Sequence, residues 1–265
     1  MMTKAFAANG AAKVYIAGRR KAKLDETAKL APNIIVPIVC DVTSKDSLCA
    51  LADTIKNDTG YVNLLICNSG TMGRPVGALA TQLSVQEYRA KALEQSTDDW
   101  AQTFATNSSA IFFSTMAFLE LLDAGNQRGN CAGRKSQVLV TSSIAGFLRV
   151  PANMGAYPTS KAAATHLVKH LSGTLVPYSI RVNAVAPGLF PSDLAAGLIA
   201  MGNKKKDDPT EEGAFEKGFM PAERTGKLDD MVGTVLYMAS KAGAYLNGNI
   251  TILDGGSMGQ VPATY

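Results

Sequence analysis

The sequence is poor in the residues that build metal sites and disulfides. Its 265 residues include two histidines, one tryptophan and four cysteines, which are Cys40, Cys49, Cys67 and Cys131. No C-x-x-C spacing relates the cysteines to one another. We therefore expect neither a structural zinc site nor a disulfide framework.

Long apolar runs and concentrated charge are also absent. The longest apolar stretch, AIFFSTMAFLELL, is broken by Ser, Thr and Glu well before the roughly 18 residues of a membrane span. No charged-then-apolar leader opens the sequence. The net charge of +4 comes from scattered basic residues, unlike the charge pattern of a nucleic-acid-binding protein. We expect a cytoplasmic protein that binds neither membrane nor nucleic acid.

Strand-like and helix-like segments alternate along the chain. Runs of β-branched residues with little polar alternation are separated by longer segments of helical period. The six runs are KVYIAG, NIIVPIVCD, VNLLICNSG, SQVLVTSS, SIRVNAVAPG and NITILDGG. Such strands are typical of a parallel sheet that helices cover on both faces. The sequence predicts an α/β fold, a doubly wound parallel sheet, as one domain over 1–265.

Capping and breaking residues define two long helices and two long connections. One helix is expected from the cap at Ser96 to about Leu122, and another over TSKAAATHLVKHLSGTL, ending near Pro177. The connections cover 123–136 and 192–220. Because the second follows the carboxyl end of a strand, where open α/β sheets bind ligands, we interpret it as a substrate lid.

Two tyrosine–lysine pairs have the spacing that places both side chains on one helix face. They are Tyr157 with Lys161 and Tyr237 with Lys241. A nearby ammonium lowers the pKa of a phenol, so such a pair is suited to general acid or base catalysis. The buried-strand pattern VLVTSSIAG precedes Tyr157, whereas no strand precedes Tyr237. We predict catalysis for the first pair and helix packing for the second.

The first pair belongs to an ordered series of motifs. The series is CNSG at 67–70, ATNSSA around Asn107, SSIAG with Ser143, YPTSK with Tyr157 and Lys161, APGLFPS at 186–192 and LDGG at 253–256. From Met1 to about Ser257 this order and spacing resemble the short-chain dehydrogenase/reductase family. The motifs look closest to the branch that includes the rhamnolipid-type 3-oxoacyl carrier-protein reductases.

The resemblance implies a role for each catalytic position. Ser143 would polarise a substrate carbonyl, Tyr157 would donate or accept the proton, and Lys161 would hold the nicotinamide ribose and lower the phenol pKa. Asn107 would anchor a water that continues the proton relay. Ser143 lies 14 residues before Tyr157, against about 13 in the family. This difference leaves Ser142 as an alternative to Ser143.

The resemblance also implies the cofactor. Arg19 and Arg20 follow a strand at the place where family members that favour NAD usually carry an Asp, and their guanidinium groups suit the 2′-phosphate of NADP(H). The alternative is two solvated arginines at a strand end. The matched cofactor positions are Arg19, Arg20, Asp41, Val42, Asn68, Ser69, Gly70, Tyr157, Lys161, Pro187, Gly188 and Ser192.

The only histidines, His166 and His170, are spaced i, i+4 on the helix that carries Tyr157. The zincin pattern also requires a Glu after the first His, where this chain has Leu167, and a third ligand. We expect helix packing or a subunit contact here, and no metal.

The family's first strand and its T-G-x-x-x-G-x-G turn have no counterpart in this sequence. MMTKAFAANG resembles the helix after that turn, and no later segment has the flanking strand and helix. In the order 3-2-1-4-5-6-7 the first strand is central, so its neighbours are expected to lose ladder partners. Two hypotheses follow. In the first, the sequence is an N-terminally truncated form of an active ketoreductase. In the second, it is an inactive relative that binds a partner or oligomerises.

The resemblance further suggests a ketone substrate, of oxoacyl or polyketide-like type, and a homodimer or homotetramer built on helices 98–122 and 157–176. Apolar residues of the expected lid would contact the substrate. They are Leu194, Leu198, Met201, Phe215 and Phe219.

Overall fold

The computed structural model describes residues 1–73, 83–150, 154–203 and 207–264. Part of the expected lid, 204–206, and part of the loop before Tyr157, 151–153, lie outside the described residues. Six strands are found in the part of the chain that the structure describes. They are β1 (Val14–Gly18), β2 (Ile35–Val39), β3 (Leu64–Cys67), β4 (Gln137–Thr141), β5 (Arg181–Pro187) and β6 (Ile250–Leu253).

All strand pairs of the two sheets are parallel, but the strands form two separate sheets. β1 pairs with β2 alone, and the other sheet has the order β3-β4-β5-β6. Each of the six apolar runs in the sequence forms one of these strands, so the α/β prediction is confirmed. The facing edges of β1 and β3 have no strand between them in the described residues, as expected from the motif comparison.

Helices connect the strands and cover both faces of the sheet. They are α1 (Met2–Ala8), α2 (Lys21–Ala28), α3 (Lys45–Asp58), α4 (Val85–Leu93), α5 (Thr97–Phe104), α6 (Ala110–Ala117), α7 (Leu119–Arg128), α8 (Ala156–Thr174), α9 (Ala196–Gly202) and α10 (Leu228–Ala239). A π-helical segment, Ala105–Ser109, joins α5 to α6. Side-chain caps fix several starts, as at Ser96, whose Oγ accepts from the Asp98 N–H at 3.1 Å.

The core lies on both faces of the sheet. On one face α3, α6, α7 and α8 contribute buried residues such as Leu48, Ile111, Leu122 and Val168. On the other face α1 and α10 pack against β4 and β5 around Met231, Val235 and Met238. Because both faces are covered, the strands need apolar residues at consecutive positions, which explains the absence of polar alternation in the sequence.

The structure corrects two of the expected boundaries. The helix expected from Ser96 to Leu122 is interrupted by the π segment and by a break at Phe118. The connection expected at 123–136 is wrong in its first part, because α7 continues to Arg128. Gly129 then ends the helix with a left-handed φ of 66°, a conformation that glycine adopts without steric cost.

The segment expected to form the lid has a small core of its own. α9 and the loop that follows it bury Ala195, Ile199, Ala214, Phe215 and Met220 together. The lid is therefore partly stabilised by contacts within itself. Among the described residues no helix has the length and apolar character needed to cross a membrane.

Candidate active site

The central pair of side chains comes from α8 and the turn that follows β4. α8 begins at Ala156 and carries Tyr157 in its first turn and Lys161 one turn later. β4 ends at Thr141, and Ser143 starts the short 3₁₀ turn Ile144–Gly146 after it. The carboxyl end of β4 and the start of α8 therefore meet at one edge of the sheet, where open α/β sheets bind ligands.

Tyr157 and Ser143 interact electrostatically at this edge. Burial raises the pKa of Tyr157 above its ordinary value, and a hydrogen bond with Ser143 acts in the opposite direction. Ser143 is buried, and its Oγ also accepts from the Ala145 N–H at 3.1 Å. Because the pKa of Tyr157 stays above the ordinary 10.0, its phenol is protonated at neutral pH. It can give a proton to a group bound beside Ser143.

Lys161 is a buried cation that has no anionic partner among the described residues. Its side chain is 4% exposed, and desolvation lowers its pKa to about 8. Nζ donates to the Thr141 carbonyl at 2.8 Å and lies 6.0 Å from the centroid of the Tyr157 ring. No carboxylate forms an ion pair with Lys161 among the described residues. The ammonium therefore keeps donors for a ligand at the site.

Ser142 and Ser143 differ in what their hydroxyls contact. Ser142 is 3% exposed, and its Oγ lies 2.7 Å from Thr165 Oγ1 and 3.3 Å from the Lys161 carbonyl. These contacts fasten the end of β4 to α8. Ser143, and not Ser142, acts on the pKa of Tyr157, which favours Ser143 for chemistry.

Asn107 holds the loop after β3 against α8. Its Oδ1 accepts from the Thr71 N–H and its Nδ2 donates to the Thr71 carbonyl, both at 2.8 Å. Nδ2 also donates to Ser160 Oγ at 3.0 Å, next to Lys161 in the chain. Asn107 is 1% exposed and lies in the π-helical segment, a type of irregularity that is frequent at functional sites.

Gly70 lies close to both of these residues. A β-carbon built on Gly70 would lie 3.5 Å from Asn107 Oδ1 and 3.6 Å from Lys161 Nζ. The motif CNSG thus brings the end of β3 to the edge that carries Lys161. Sequence reasoning found these positions but missed Thr71, Thr141 and Ser160, whose backbone groups and hydroxyl are the partners that fix them.

The residues that follow β1 and β2 form a polar surface at the same edge. Arg20 Nη1 lies 3.4 Å from Asp193 Oδ2, and both side chains are largely exposed. Hydrogen bonds from the Thr43 N–H and hydroxyl lower the pKa of Asp41, and the charge of Arg19 lowers it further. Val42 follows Asp41 directly and is partly buried. Both arginines are exposed, and each has a carboxylate nearby, Asp41 for Arg19 and Asp193 for Arg20.

The remaining positions predicted to bind the cofactor lie at the ends of β3 and β5. Asn68 Oδ1 accepts from the Thr141 hydroxyl at 2.9 Å, and Ser69 beside it is exposed. Gly188 follows Pro187 and donates its N–H to the Leu253 carbonyl at 2.9 Å. A β-carbon there would come within 3.0 Å of Asp254. Ser192 Oγ caps the next turn by accepting from the Ala195 N–H at 3.2 Å.

The second tyrosine–lysine pair does not share a helix. α10 ends at Ala239, so Lys241 lies in a separate 3₁₀ turn after it. Tyr237 is 47% exposed.

His166 and His170 contact each other, with their Nε2 atoms 3.1 Å apart on the exposed side of α8. Within the described ranges no cluster of three metal-ligating side chains is found.

Comparison with known proteins gives a match over almost the whole chain. A family model described as Enoyl-(Acyl carrier protein) reductase matches residues 1–258. Short-chain dehydrogenase/reductase SAT3 of Stachybotrys chartarum is 42% identical over 277 residues, covering 100% of both chains. Short-chain dehydrogenase/reductase PhomF of Diaporthe leptostromiformis is 40% identical over 267 residues, covering 100% of this chain and 89% of PhomF.

Solved structures with the same fold include two at 27% identity. A Pseudomonas aeruginosa RhlG/NADP active-site complex superposes with a TM-score of 0.76, covering 96% of this chain and 90% of the other. A short-chain type dehydrogenase/reductase from Mycobacterium marinum gives a TM-score of 0.73, covering 97% of this chain and 89% of the other. The parallel sheet and its helices are thus shared with these enzymes.

Proposed function

The chain belongs to the short-chain dehydrogenase/reductase family of oxidoreductases, and on that premise we propose that it uses NADP(H) to reduce a ketone to a secondary alcohol. The observation that carries the proposal is the Lys161 ammonium, which is buried 6.0 Å from the centroid of the Tyr157 ring with no carboxylate partner among the described residues. Ser143 is close enough to act on the pKa of Tyr157. The carboxyl edge of the sheet thus holds three groups together: a proton donor, a cation, and a hydroxyl that can orient a carbonyl.

In the proposed reaction Ser143 donates a hydrogen bond to the substrate carbonyl oxygen, and Tyr157 donates the proton that completes the alcohol. The nicotinamide, when bound, supplies the hydride to the carbonyl carbon. Because the phenol pKa is raised by burial, Tyr157 holds its proton until negative charge develops on the substrate oxygen. Lys161 would bind the nicotinamide ribose, and its positive charge would favour the phenolate that the transfer leaves behind.

Asn107 has two roles in the proposal. Its side-chain oxygen and nitrogen are bonded to Thr71 and Ser160, so it positions the loop after β3 and the start of α8. In the proposal Asn107 also anchors a water that continues the proton relay, as the family resemblance implies.

The donor set fits a phosphorylated nicotinamide cofactor. Arg19 and Arg20 follow β1 and are exposed, and guanidinium groups bind phosphate through paired hydrogen bonds. The similar RhlG structure is a complex with NADP, which supports the same choice. Reduction is the direction we propose, because cells generally hold this cofactor reduced.

Apolar side chains of the lid support a large apolar substrate of oxoacyl or polyketide-like type. Leu194, Leu198, Met201 and Phe219 are between 39% and 75% exposed. Phe215 was expected among them, but it is fully buried in the core of the lid and contributes to packing instead. Substrate contact is therefore proposed for the four exposed residues only.

The direct test measures NADPH oxidation by the purified protein with a series of 3-oxoacyl thioesters and aryl ketones. Tyr157→Phe should lower kcat at least about 1000-fold, because it removes the proton donor and keeps the ring. Tyr237→Phe is the matched control, since it makes the same change in the other tyrosine–lysine pair and should leave the rate unaltered. Turnover by Tyr157→Phe at the wild-type rate would disprove the assignment, and no wild-type turnover of any ketone would disprove the proposed reaction.

A further inference from the structure

The chain that follows β6 runs from the lid to the loop that begins at Ser143. These residues, 254–264, contain a short 3₁₀ turn, Ser257–Gln260, and a bridge residue, Ala263. We call 254–264 the strap. Hydrogen bonds join the first residues of the strap to the chain at the end of the lid, and its last residues to the loop after β4.

The first end of the strap lies against the base of the lid. The Ala222 N–H donates to the Gly255 carbonyl at 3.1 Å. Ala222 comes two residues after Met220, which belongs to the core of the lid. Gly255 has a φ of 61°, and a β-carbon built on it would lie 2.7 Å from the β-carbon of Ala222. Glycine alone suits both this conformation and this close approach, so the contact depends on Gly255.

Asp254 fixes the direction in which the strap leaves the sheet. Its carboxylate accepts from the Gly256 N–H at 2.9 Å and from the Met258 N–H at 2.7 Å. The Ser257 hydroxyl donates to the Asp254 carbonyl at 2.8 Å. Because these bonds close a turn directly after β6, the strap has a defined path toward the loop after β4.

The other end of the strap pairs with that loop through an isolated antiparallel bridge. The Arg149 N–H donates to the Pro262 carbonyl, and the Thr264 N–H donates to the Phe147 carbonyl, both at 2.8 Å. The Thr264 hydroxyl also donates to the Phe147 carbonyl, at 3.2 Å. Thr264 therefore supplies two hydrogen bonds to the loop.

The bridged loop is continuous with Ser143. The Ala145 N–H donates to Ser143 Oγ at 3.1 Å, and the Gly146 N–H donates to the Ser143 carbonyl at 3.2 Å. A β-carbon built on Gly146 would lie 2.8 Å from the carbonyl carbon of Lys161, so the loop packs directly on α8. Because this packing leaves no free space, a shift of Phe147 would be transmitted to Ser143.

We propose that the strap positions the Ser143 hydroxyl for the bound ketone. Thr264 is the positioning residue, and its backbone N–H holds the loop that begins at Ser143. The strap also joins this loop to the base of the lid, so one segment holds two parts of the chain that are proposed to contact the substrate. The inference rests on the function proposed above, because it gives the strap a role in the step that uses Ser143.

The test compares Thr264→Pro with Thr264→Val in the full chain, using the best 3-oxoacyl thioester or aryl ketone of the series above. Proline has no backbone N–H, so Thr264→Pro removes both bonds to the Phe147 carbonyl. We expect kcat to fall at least about 10-fold, with the KM for NADPH unchanged. Thr264→Val is the conservative variant that keeps the N–H and loses only the hydroxyl, and its kcat should fall about 2-fold or less.

Two further measurements separate positioning from a general loss of structure. In the Ser143→Ala background, Thr264→Pro should lower kcat no further, because the hydroxyl that the strap positions is gone. Amide exchange at Ala145, whose N–H bonds to Ser143 Oγ, should become at least about 10-fold faster in Thr264→Pro and stay unchanged in Thr264→Val. Thr264 is exposed, so both variants should keep the far-ultraviolet circular dichroism of the wild type.

Several outcomes would overturn the proposal. A kcat for Thr264→Pro within about 2-fold of the wild type would show that the strap positions nothing, and a fall that persists in the Ser143→Ala background would show that it acts elsewhere. Equal falls in the two Thr264 variants would exclude the backbone N–H as the group responsible. If the wild type reduces no ketone, the proposed function fails, and exchange at Ala145 alone decides whether the strap positions Ser143.

Discussion

Lys161 Nζ donates a hydrogen bond of 2.8 Å to the carbonyl oxygen of Thr141, the last residue of β4. This contact joins the first turns of α8 to the carboxyl end of β4, a strand whose other four residues are buried. It also explains how an ammonium that is 4% exposed is retained without a carboxylate, because a charged donor bonded to a backbone carbonyl recovers part of its lost hydration. The unusual environment of Lys161 gives the first prediction.

Replacing Lys161 with Met should change how stability depends on pH. Burial lowers the Lys161 pKa from 10.5 to about 8 in the folded protein. Between those values the unfolded chain binds this proton more tightly, so Lys161 makes wild-type stability rise with pH. From pH 7.5 to 9.5 we expect the unfolding free energy of the wild type to gain about 2 kcal/mol relative to Lys161→Met. Urea unfolding of both proteins at pH 7.5 and at pH 9.5 measures this difference in unfolding free energy.

Lys169→Met is the control for this prediction, because Lys169 lies on the same helix with an exposed side chain and donates to the Gly248 carbonyl. Its difference from the wild type should be the same at both pH values. A difference between wild type and Lys161→Met that also stays constant would contradict the lowered pKa of Lys161.

Ser143→Ala and Ser142→Ala should have different effects although the residues are adjacent. Ser143→Ala removes the hydroxyl that acts on Tyr157, and we expect kcat to fall about 100-fold or more with little loss of stability. Ser142→Ala removes the 2.7 Å partner of Thr165 in a partly buried place, although Thr165 keeps its bond to the Lys161 carbonyl. Stability should therefore fall by about 1 kcal/mol. Steady-state kinetics of both variants measure the change in kcat, and thermal unfolding measures the change in stability. The reverse assignment of effects would make Ser142 the catalytic hydroxyl.

The sequence predicted the fold because the strands are covered on both faces. β4 and β5 carry apolar residues at consecutive positions, 138–140 and 184–186, and they are the most buried strands of the structure. The extent of α7 was not predictable in the same way. Polar residues at 123–128 resemble a loop, but tertiary hydrogen bonds hold them in a helix. Asn126 donates to the Ser179 carbonyl at 3.0 Å and accepts from the Ser136 N–H at 2.8 Å. Tertiary packing decided the conformation there.

The site was predictable where local spacing determines geometry. Tyr157 and Lys161 lie one helical turn apart, so their common face follows from the sequence alone. The partners of Asn107 were not predictable, because Thr71 lies 36 residues away in the chain and Ser160 lies 53 away. The π-helical segment that carries Asn107 also has no signal in the sequence pattern.

Asn107→Ala should destabilise the protein as well as impair catalysis. The substitution leaves the Thr71 N–H without its acceptor in a buried site, and we expect a loss of about 2 kcal/mol in unfolding free energy. Ser160→Ala removes one hydrogen bond of Asn107 and keeps both bonds to Thr71. It should therefore cost about 1 kcal/mol or less. Chemical unfolding curves compare the two, and equal losses would show that the bonds to Thr71 contribute nothing.

Replacing both Arg19 and Arg20 with Ala should raise the KM for NADPH about 10-fold or more and leave the KM for NADH nearly unchanged. The reason is that only NADPH carries the 2′-phosphate that the guanidinium groups are proposed to bind. Stability should not change, because the Arg20–Asp193 pair is exposed and such pairs contribute little. Lys21→Ala is the control for charge alone, since Lys21 is the next residue and already pairs with Asp25 at 2.8 Å. An equal rise in KM for both cofactors would mean that the arginines bind a portion of the cofactor that NADPH and NADH share. An equal rise in the KM for NADPH with Lys21→Ala would mean that surface charge, not a phosphate site, is responsible.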